Sequence, residues 1–364
     1  MVKQTDFLQF VAGDVDPLTW YDWLPGDAIR VSGIPEGESC EQLVQSLLLR
    51  SAPDDASRLD LLTARLLDTP PVITDPVPWR TLAARLSALM CRQLATGGDR
   101  HLRMRAQRLN YCIQACVDQG ADNSEQPVIL DTSVLPGNKP WDCIEYDGVR
   151  WWLTSGDQNV HRDGPGGRAS FSRGLPTQLD LLRDGRLSVG SIYTPGAWLV
   201  DGETWQHLDH AHPIVLVFQH LGELRFLDGA GVVWRDSPRE LIWRVPCPQV
   251  HFARLFGNTL YCMDNADFGH VTCMDIESGE ATRHSTAPVQ VCNDVVEVGD
   301  ALYLIDKQQG SVFKFSRKFD YVGRRLTFGR GASQLVDPVS VRVMDGKLRV
   351  VSWLTGRLTW LIAF

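Results

Sequence analysis

The apolar positions of this chain change their period about a third of the way along it. From Gln4 to about Ala121 they recur every three or four residues, the spacing of one helix face. Leu43, Leu47 and Leu48 make a first short stripe. Leu59, Leu62 and Leu66 make a second, behind Asp54 or Asp55, either of which suits a helix N-cap. Leu82, Leu86 and Leu89 follow Pro76 and Pro78, which suit a helix start, and Leu102, Leu109, Ile113 and Cys116 follow the break at Gly97-Gly98. Four or five short helices are predicted, forming a small N-terminal bundle over residues 1–125.

After Pro127 the period falls to two. A short apolar strand, a tight turn centred on glycine and a second strand rich in Leu, Val, Tyr and Trp recur six times. The copies are YDGVRWWLTS (146–155), RDGRLSVGSI (183–192), HLGELRFLDG (220–229), LFGNTLYCMD (255–264), EVGDALYLID (297–306) and MDGKLRVVSW (344–353). Their turn glycines, Gly148, Gly185, Gly222, Gly257, Gly299 and Gly346, lie 37, 37, 35, 42 and 47 residues apart. DG, GN or GD between alternating strands is a hairpin signal, because glycine tolerates the positive φ of a two-residue turn. Units of about 40 residues with four strands each have the spacing of propeller blades. The expectation is a multidomain α and β chain in which residues 126–364 form a six-bladed β-propeller. The last blade, ending with Arg357 to Phe364, is one strand short. The isolated strand near 127–133 is placed to supply it, closing the ring and removing exposed edges.

Composition narrows the function classes. A hydrophobic content of 44% with 22% charged residues suits a globular protein with a large core, and the twelve tryptophans suit wedges between sheets. A net charge of -8 argues against nucleic-acid binding, which needs an excess of Lys and Arg along one face. There is no uncharged apolar run long enough to span a membrane, and Met1 to Gly13 lacks the apolar stretch of a secretory signal. The nine cysteines are scattered, odd in number and without a CxxC pair, as expected of reduced, apolar residues in a cytoplasmic protein.

Candidate chemistry gathers where the strands nearest the propeller axis begin. Six residues before each turn glycine stand Asp142, Leu179, Leu216, His251, Asn293 and Ser340, with Gln178 and Asp294 beside them. Polar groups converging from several blades on one channel mouth suit a ligand site, or tie neighbouring strands to backbone groups. The segment TWQHLDHAHP supplies His207, Asp209, His210 and His212. MDNADFGH supplies Asp264, Asn265, Asp267 and His270. Both read as loops, and His210, His212 and Asp264 are candidate ligands for one divalent metal ion. Asp264 also matches Asp228 and Asp306 in neighbouring units, which points to a repeated structural role. DGPGGRAS (163–170) reads as an inter-strand loop without phosphate-loop chemistry. In the helical part, Arg100, Arg103, Arg105 and Arg108 crowd one helix and offer a face to an acidic partner, while Cys112 and Cys116 share a helix face.

The units DPVSVRVMDGKLRVVSWLTGRLTWL (337–361) and PWDCIEYDGVRWWLTSGDQNVHR (140–162) resemble NHL-type six-bladed propellers, the superfamily that includes gluconolactonase-like and strictosidine-synthase-like proteins. The resemblance is one of repeat pattern over about 240 residues. It implies a propeller. In the gluconolactonase-like branch it implies a divalent metal held by an early Glu with later Asn and Asp. Asn293-Asp294 resembles one such element, and Asp131 or Asp142 would stand for the Glu. Two function classes follow. One is a recognition or accessory protein that binds a protein, peptide or small molecule at the channel mouth, with the helical part docking a partner, within a biosynthetic pathway for example. The other is a metal-dependent lactonase or hydrolase using the same mouth.

Overall fold

The structure, a computed structural model, describes residues 38–117, 129–137, 139–265, 267–329 and 334–364. The helical pattern expected before residue 38 and the start of the expected closing strand, 126–128, lie outside the described residues.

Four helices come first: α1 (Cys40–Leu48), α2 (Ala56–Asp68), α3 (Pro76–Ala95) and α4 (Arg100–Val117). Ser39 and Gln42 close a capping box on α1, so two of its free terminal N–H groups gain partners. Asp55, not Asp54, caps α2 by accepting from the Arg58 N–H. The predicted stripes face inward: Leu43, Leu47, Leu59, Leu62, Leu66, Leu82, Leu86, Leu109 and Ile113 are fully buried in one core with Cys112 and Cys116. Burial pushes the Cys116 thiol pKa up, as expected of an inert core cysteine. Arg105 on α4 pairs with Asp60 on α2 at 2.8 Å, so it braces the helices rather than presenting a bare charge. The Arg100 side chain lies outside the described residues. Phe328 and Val336, from far along the chain, belong to the same core.

The rest is antiparallel sheet apart from one short parallel pair. Strands β2 (Pro140–Tyr146), β3 (Val149–Thr154), β4 (Asn159–Gly164) and β5 (Gly167–Ser172) form a meander, and DGPGGRAS is its last hairpin rather than a long loop. β6 (Gln178–Leu181), β7 (Leu187–Gly190), β8 (Pro195–Asp201), β9 (Thr204–His220), β10 (Glu223–Asp228), β11 (Val232–Arg235) and β12 (Glu240–Arg244) form one seven-stranded sheet. β13 (Val250–Phe256), β14 (Thr259–Asp264), β15 (Asp267–Asp275) and β16 (Ala281–Ser285) form the next meander. β17 (Cys292–Val298), β18 (Ala301–Asp306), β19 (Ser311–Ser316) and β20 (Tyr321–Arg325) form another. A small parallel pair, β21 (Thr327–Phe328) with β22 (Gln334–Leu335), leads to β23 (Pro338–Met344), β24 (Lys347–Ser352) and β25 (Arg357–Ile362). Beyond β25 lies β1 (Ile129–Val134), paired antiparallel from Ile129 opposite Leu361 to Val134 opposite Arg357. The first described strand thus completes the last sheet, as the sequence pattern predicts.

The turn glycines keep their role: all six have φ between 57° and 87°. In two of the three DG turns the preceding residue, Asp147 or Asp345, is left-handed too, the type I′ geometry that matches strand twist; Asp184 before Gly185 is not.

The expected set of separate four-stranded units is only partly seen, as four four-stranded sheets and one of seven. The reason is β9. TWQHLDHAHP is strand and not loop: Thr204–Leu208 pair with β8, Pro213 lies opposite a double irregularity at Pro195–Ala197, and Ile214–His220 pair with β10. One bent strand is therefore the outer edge of one group and the inner edge of the next. Likewise, MDNADFGH is mostly strand, with β15 starting at Asp267.

Candidate functional site

Because the meanders are antiparallel, the start of each inner strand lies beside the end of the strand that follows it. The residues before β2, β6, β13, β17 and β23 therefore lie at the same sheet end as the turns after β3, β7, β14, β18 and β24, the end that forms a channel mouth in a propeller. Four inner strands carry a β-bulge at their second residue, leaving Trp141, His251, Asn293 and Val339 without a cross-strand partner, and β9 does the same at Val215. A bulge breaks the two-residue alternation and re-aims a side chain, which is why bulges recur beside binding sites.

In β2, β17 and β23 the residue after the bulge, Asp142, Asp294 or Ser340, points into a buried ionic network. Asp142 and Asp294 are fully buried, and Arg254 is 2% exposed. Arg254 grips Asp294 with two bonds of 3.0 Å, reaches Asp180 at 3.1 Å and touches Asp142 at 3.4 Å. Arg342 holds Asp142 at 2.5 Å and Asp180 at 3.3 Å, and also donates to the Leu179 carbonyl. Ser340 donates to Asp142 at 2.6 Å. Backbone groups finish the carboxylates: Leu179 N–H reaches Asp142 at 3.0 Å, and Val341 N–H reaches Asp294 at 2.8 Å. Two guanidinium groups thus serve three carboxylates across β2, β6, β13, β17 and β23. Burial alone would raise the Asp142 pKa, but the charges of Arg342 and Arg254 hold it well below the usual carboxylate range. For Asp294 burial outweighs Arg254, and its pKa is pushed up to about 6; Asp180 is raised by burial as well.

Above the network the mouth is aromatic and cationic. Trp141 meets Tyr193 and Trp353 edge to face, with ring centroids 6.3 and 5.9 Å apart. The Lys307 ammonium stands 5.8 Å from the Trp141 ring and 5.6 Å from Trp353, and Lys139 lies 5.6 Å from Trp353. Asp337 lies 3.5 Å from Lys307, and the Trp353 indole N–H donates to Ser155 at 2.8 Å. His251 packs edge-on against Phe268 at 5.2 Å. Burial, helped by the charge of Lys307, lowers its pKa to about 4, so the ring is neutral near pH 7. The Asn293 side chain and the Met263 backbone stand by the ring and oppose that shift. Even so, neither ring nitrogen of His251 makes a hydrogen bond of good geometry, and neither does the buried indole Nε1 of Trp141.

The structure brings most of the expected residues together but divides their roles. Asp142, Asp294 and Ser340 belong to the ionic network. Gln178 donates to Asp180 at 2.6 Å and to the Ala253 carbonyl at 2.7 Å; Asn293 donates to the Val339 carbonyl at 2.7 Å. These five tie inner strands together, and His251 is left for the mouth. Counting a fixed six residues from the glycine slipped by one in two sheets. Glycine comes second in the DG turns at 147–148 and 345–346 but first in the turns at 257–258 and 299–300. His251 and Asn293 are therefore the equivalents of Trp141, not of Asp142.

The three expected metal ligands do not share a site. His210 lies 3.2 Å from Asp228, with its ring centroid 5.8 Å from that of His212, while Asp264 ends β14 in another sheet, beside the Cys247 thiol. Among the described residues no three His, Cys, Asp or Glu side chains are grouped to hold a metal ion. The Asp142 and Asn293-Asp294 set does not fit a divalent ion either, since the Asp142 and Asp294 oxygens accept from guanidinium groups, a serine and backbone N–H groups, and the Asn293 amide is turned to donate to the Val339 carbonyl. Asp228 and Asp306 keep the repeated structural role expected of them, accepting N–H bonds from the turns that follow. Asp180, Arg254 and Arg342 were missed. Their signal was present, since a charge interrupts each apolar inner strand in QLDL, HFARLF and PVSVRVM.

No family model matches the chain, and no curated protein matches it either. Among solved structures, virginiamycin B lyase from Staphylococcus aureus aligns with a TM-score of 0.50 at 10% identity, covering 64% of this chain and 99% of its own. The chain has a β-propeller fold. The WD40 propeller domain of Doa1 (TM-score 0.46, 10% identity, 65% of this chain and 97% of that one) is also similar. So is BamB from Moraxella catarrhalis (0.42, 9%, 66% and 98%). At such identities the likeness is one of fold and carries no chemistry.

Proposed function

We propose that this chain is a recognition or accessory protein, built as a helical domain over 1–125 and a six-bladed propeller over 126–364, which binds a small molecule, protein or peptide at the channel mouth. The blade count treats the seven-stranded sheet as two blades sharing β9. One observation carries the functional reading. The carboxylates of the network, which would perform acid–base or metal chemistry, are held by arginines, while among the described residues the Trp141 indole N–H at the mouth has no partner and neither His251 ring nitrogen makes a hydrogen bond of good geometry. The lactonase-like alternative needs those same carboxylate oxygens for a metal, and the arginines occupy them. A reducing, cytoplasmic setting is part of the proposal; the cysteines described are all free thiols, and among the described residues no helix is long and apolar enough to cross a membrane.

The test is native mass spectrometry of the full chain after equilibration with a small-molecule cell extract, alongside elemental analysis. A retained mass that disappears in Trp141→Ala supports the reading. A stoichiometric divalent ion, lost in Asn293→Ala, favours the lactonase-like alternative.

A further inference from the structure

The polar groups around the mouth divide into those the fold uses and those it leaves. Asn293, the bulge residue of β17, spends its amide on the Val339 carbonyl, and Trp353 spends its indole N–H on Ser155. Trp141 and His251, the bulge residues of β2 and β13, are each about nine-tenths buried, at 8% exposure; among the described residues the Trp141 indole nitrogen has no partner, and the His251 nitrogens have only the Asn293 side chain and Met263 backbone nearby, at poor geometry. An unmet donor at such depth carries a desolvation penalty, which a fold tolerates where a ligand satisfies it. Two residues at equivalent bulges, one without a partner and the other with poorly aligned ones, make such a ligand the economical explanation.

Its chemistry follows from the surroundings. Lys307 is near enough to Trp141 for its ammonium to lie over the ring, and its charge is felt by His251. Lys139 adds a second cation beside Trp353. Against these stands Asp337, which is buried, paired with Lys307 and raised in pKa by that burial. The opening is therefore lined by an indole N–H, an imidazole and the ammonium groups of Lys307 and Lys139, both of which also have partners of their own, with walls from Trp141, Trp353, Tyr193 and Phe268. Donors and cations call for an acceptor-rich anion, and the aromatic walls call for an apolar body of modest size. The geometry points to a small organic carboxylate carried on an apolar or planar body, its acid group met by Lys307 with the Trp141 and His251 N–H groups. This rests on the reading of the mouth as a binding site and specifies what it binds.

The test is titration of the full chain with benzoate, read by tryptophan fluorescence, with benzyl alcohol and inorganic phosphate in parallel. Saturable benzoate binding is expected, with each comparison ligand at least tenfold weaker. Lys307→Met should weaken benzoate at least tenfold and Lys307→Arg should restore most of it. Trp141→Phe, which keeps a ring and removes the N–H, should cost about threefold to tenfold, as should His251→Phe. Circular dichroism melts identify any variant that fails to fold, and the Lys307→Met and Lys307→Arg pair then decides alone. No saturation by benzoate, equal binding of benzyl alcohol, tighter binding of phosphate, or an unchanged Lys307→Met overturns the proposal. If benzoate fails but the Trp141-dependent mass from cell extract persists, the mouth is still a binding site and only the ligand class is wrong.

Discussion

At the scale of single residues the centre of the molecule is decided by Arg254. It reaches carboxylates from three other strands while almost fully buried, so its removal strands charge away from water. Breaking a buried pair in this way costs on the order of 3–5 kcal/mol, more than an exposed pair ever contributes. Arg254→Met should therefore lower stability by about that amount in urea unfolding. A loss below about 1 kcal/mol would mean that the network is solvated and its bonds weak. The same network sets a pH dependence with two opposite limbs. Asp142, held low in the folded state, adds stability above its ordinary value near 3.9, which is lost as pH falls. Asp294, raised to about 6, adds stability that is complete below about 3.9 and lost as pH rises through 6. Between pH 4.5 and 7.5 the Asp294 limb dominates. The wild type should lose roughly 2 kcal/mol more stability over that range than Asp294→Asn does, because about 1.5 units lie between pH 4.5 and the raised pKa, at about 1.4 kcal/mol each. Parallel urea midpoints for the two proteins across the range would refute this.

At the scale of elements, the hairpins were legible and the bulges were not. A DG or GN between alternating strands is a local backbone requirement, so the sequence announces it. A bulge is a one-residue excess in a pairing, visible only once both strands are known, and nothing in PWDC or VHFA marks it. That is why the mouth and the network appeared as one polar set and had to be separated. The length of β9 was hidden for a similar reason, since a string of His and Asp looks like a loop although its backbone pairs. The charges inside the inner strands could have been read, because an arginine on an inward position requires carboxylates nearby. Turn glycines themselves make a graded test. Gly148 has φ +69°, but a Cβ there would meet open space, whereas at Gly310, with φ +61°, it would collide with the Leu335 carbonyl and with Phe328. Gly148→Ala should cost about 1 kcal/mol and Gly310→Ala about 2–3, because strain and a backbone clash add at the second site. Thermal melts of the two variants should preserve that order, and a reversed order would show that the segment around β21 and β22 yields easily.

At the scale of the whole molecule, the helices and sheets are joined at the turns that build the mouth. Lys307 faces the opening, and its neighbour Gln308 bonds to Gln114 on α4 at 3.0 Å. Trp353 faces the opening, and its neighbour Leu354 packs on the helical core, which also takes in Phe328 and Val336 from the segment before β23. The helical part therefore braces two walls of the site, a coupling that neither half of the sequence discloses because its residues lie some two hundred positions apart. Phe328 is the sharpest place to test it, being fully buried among helical residues while anchored in the sheet region. Phe328→Ala should cost about 3–5 kcal/mol, the range for removing a buried aromatic ring. Its effect should be uneven. Hydrogen exchange should quicken in α1–α4 and in the turns at 307–310 and 353–356, while the inner strands around Arg254 keep their protection. Binding at the mouth should weaken with it, since Lys307 and Trp353 would lose the contacts that hold their turns. Uniform quickening of exchange across every sheet would instead make the ring and the helices a single cooperative unit. In that case the helices would act as part of the scaffold and not as a separable brace for the mouth.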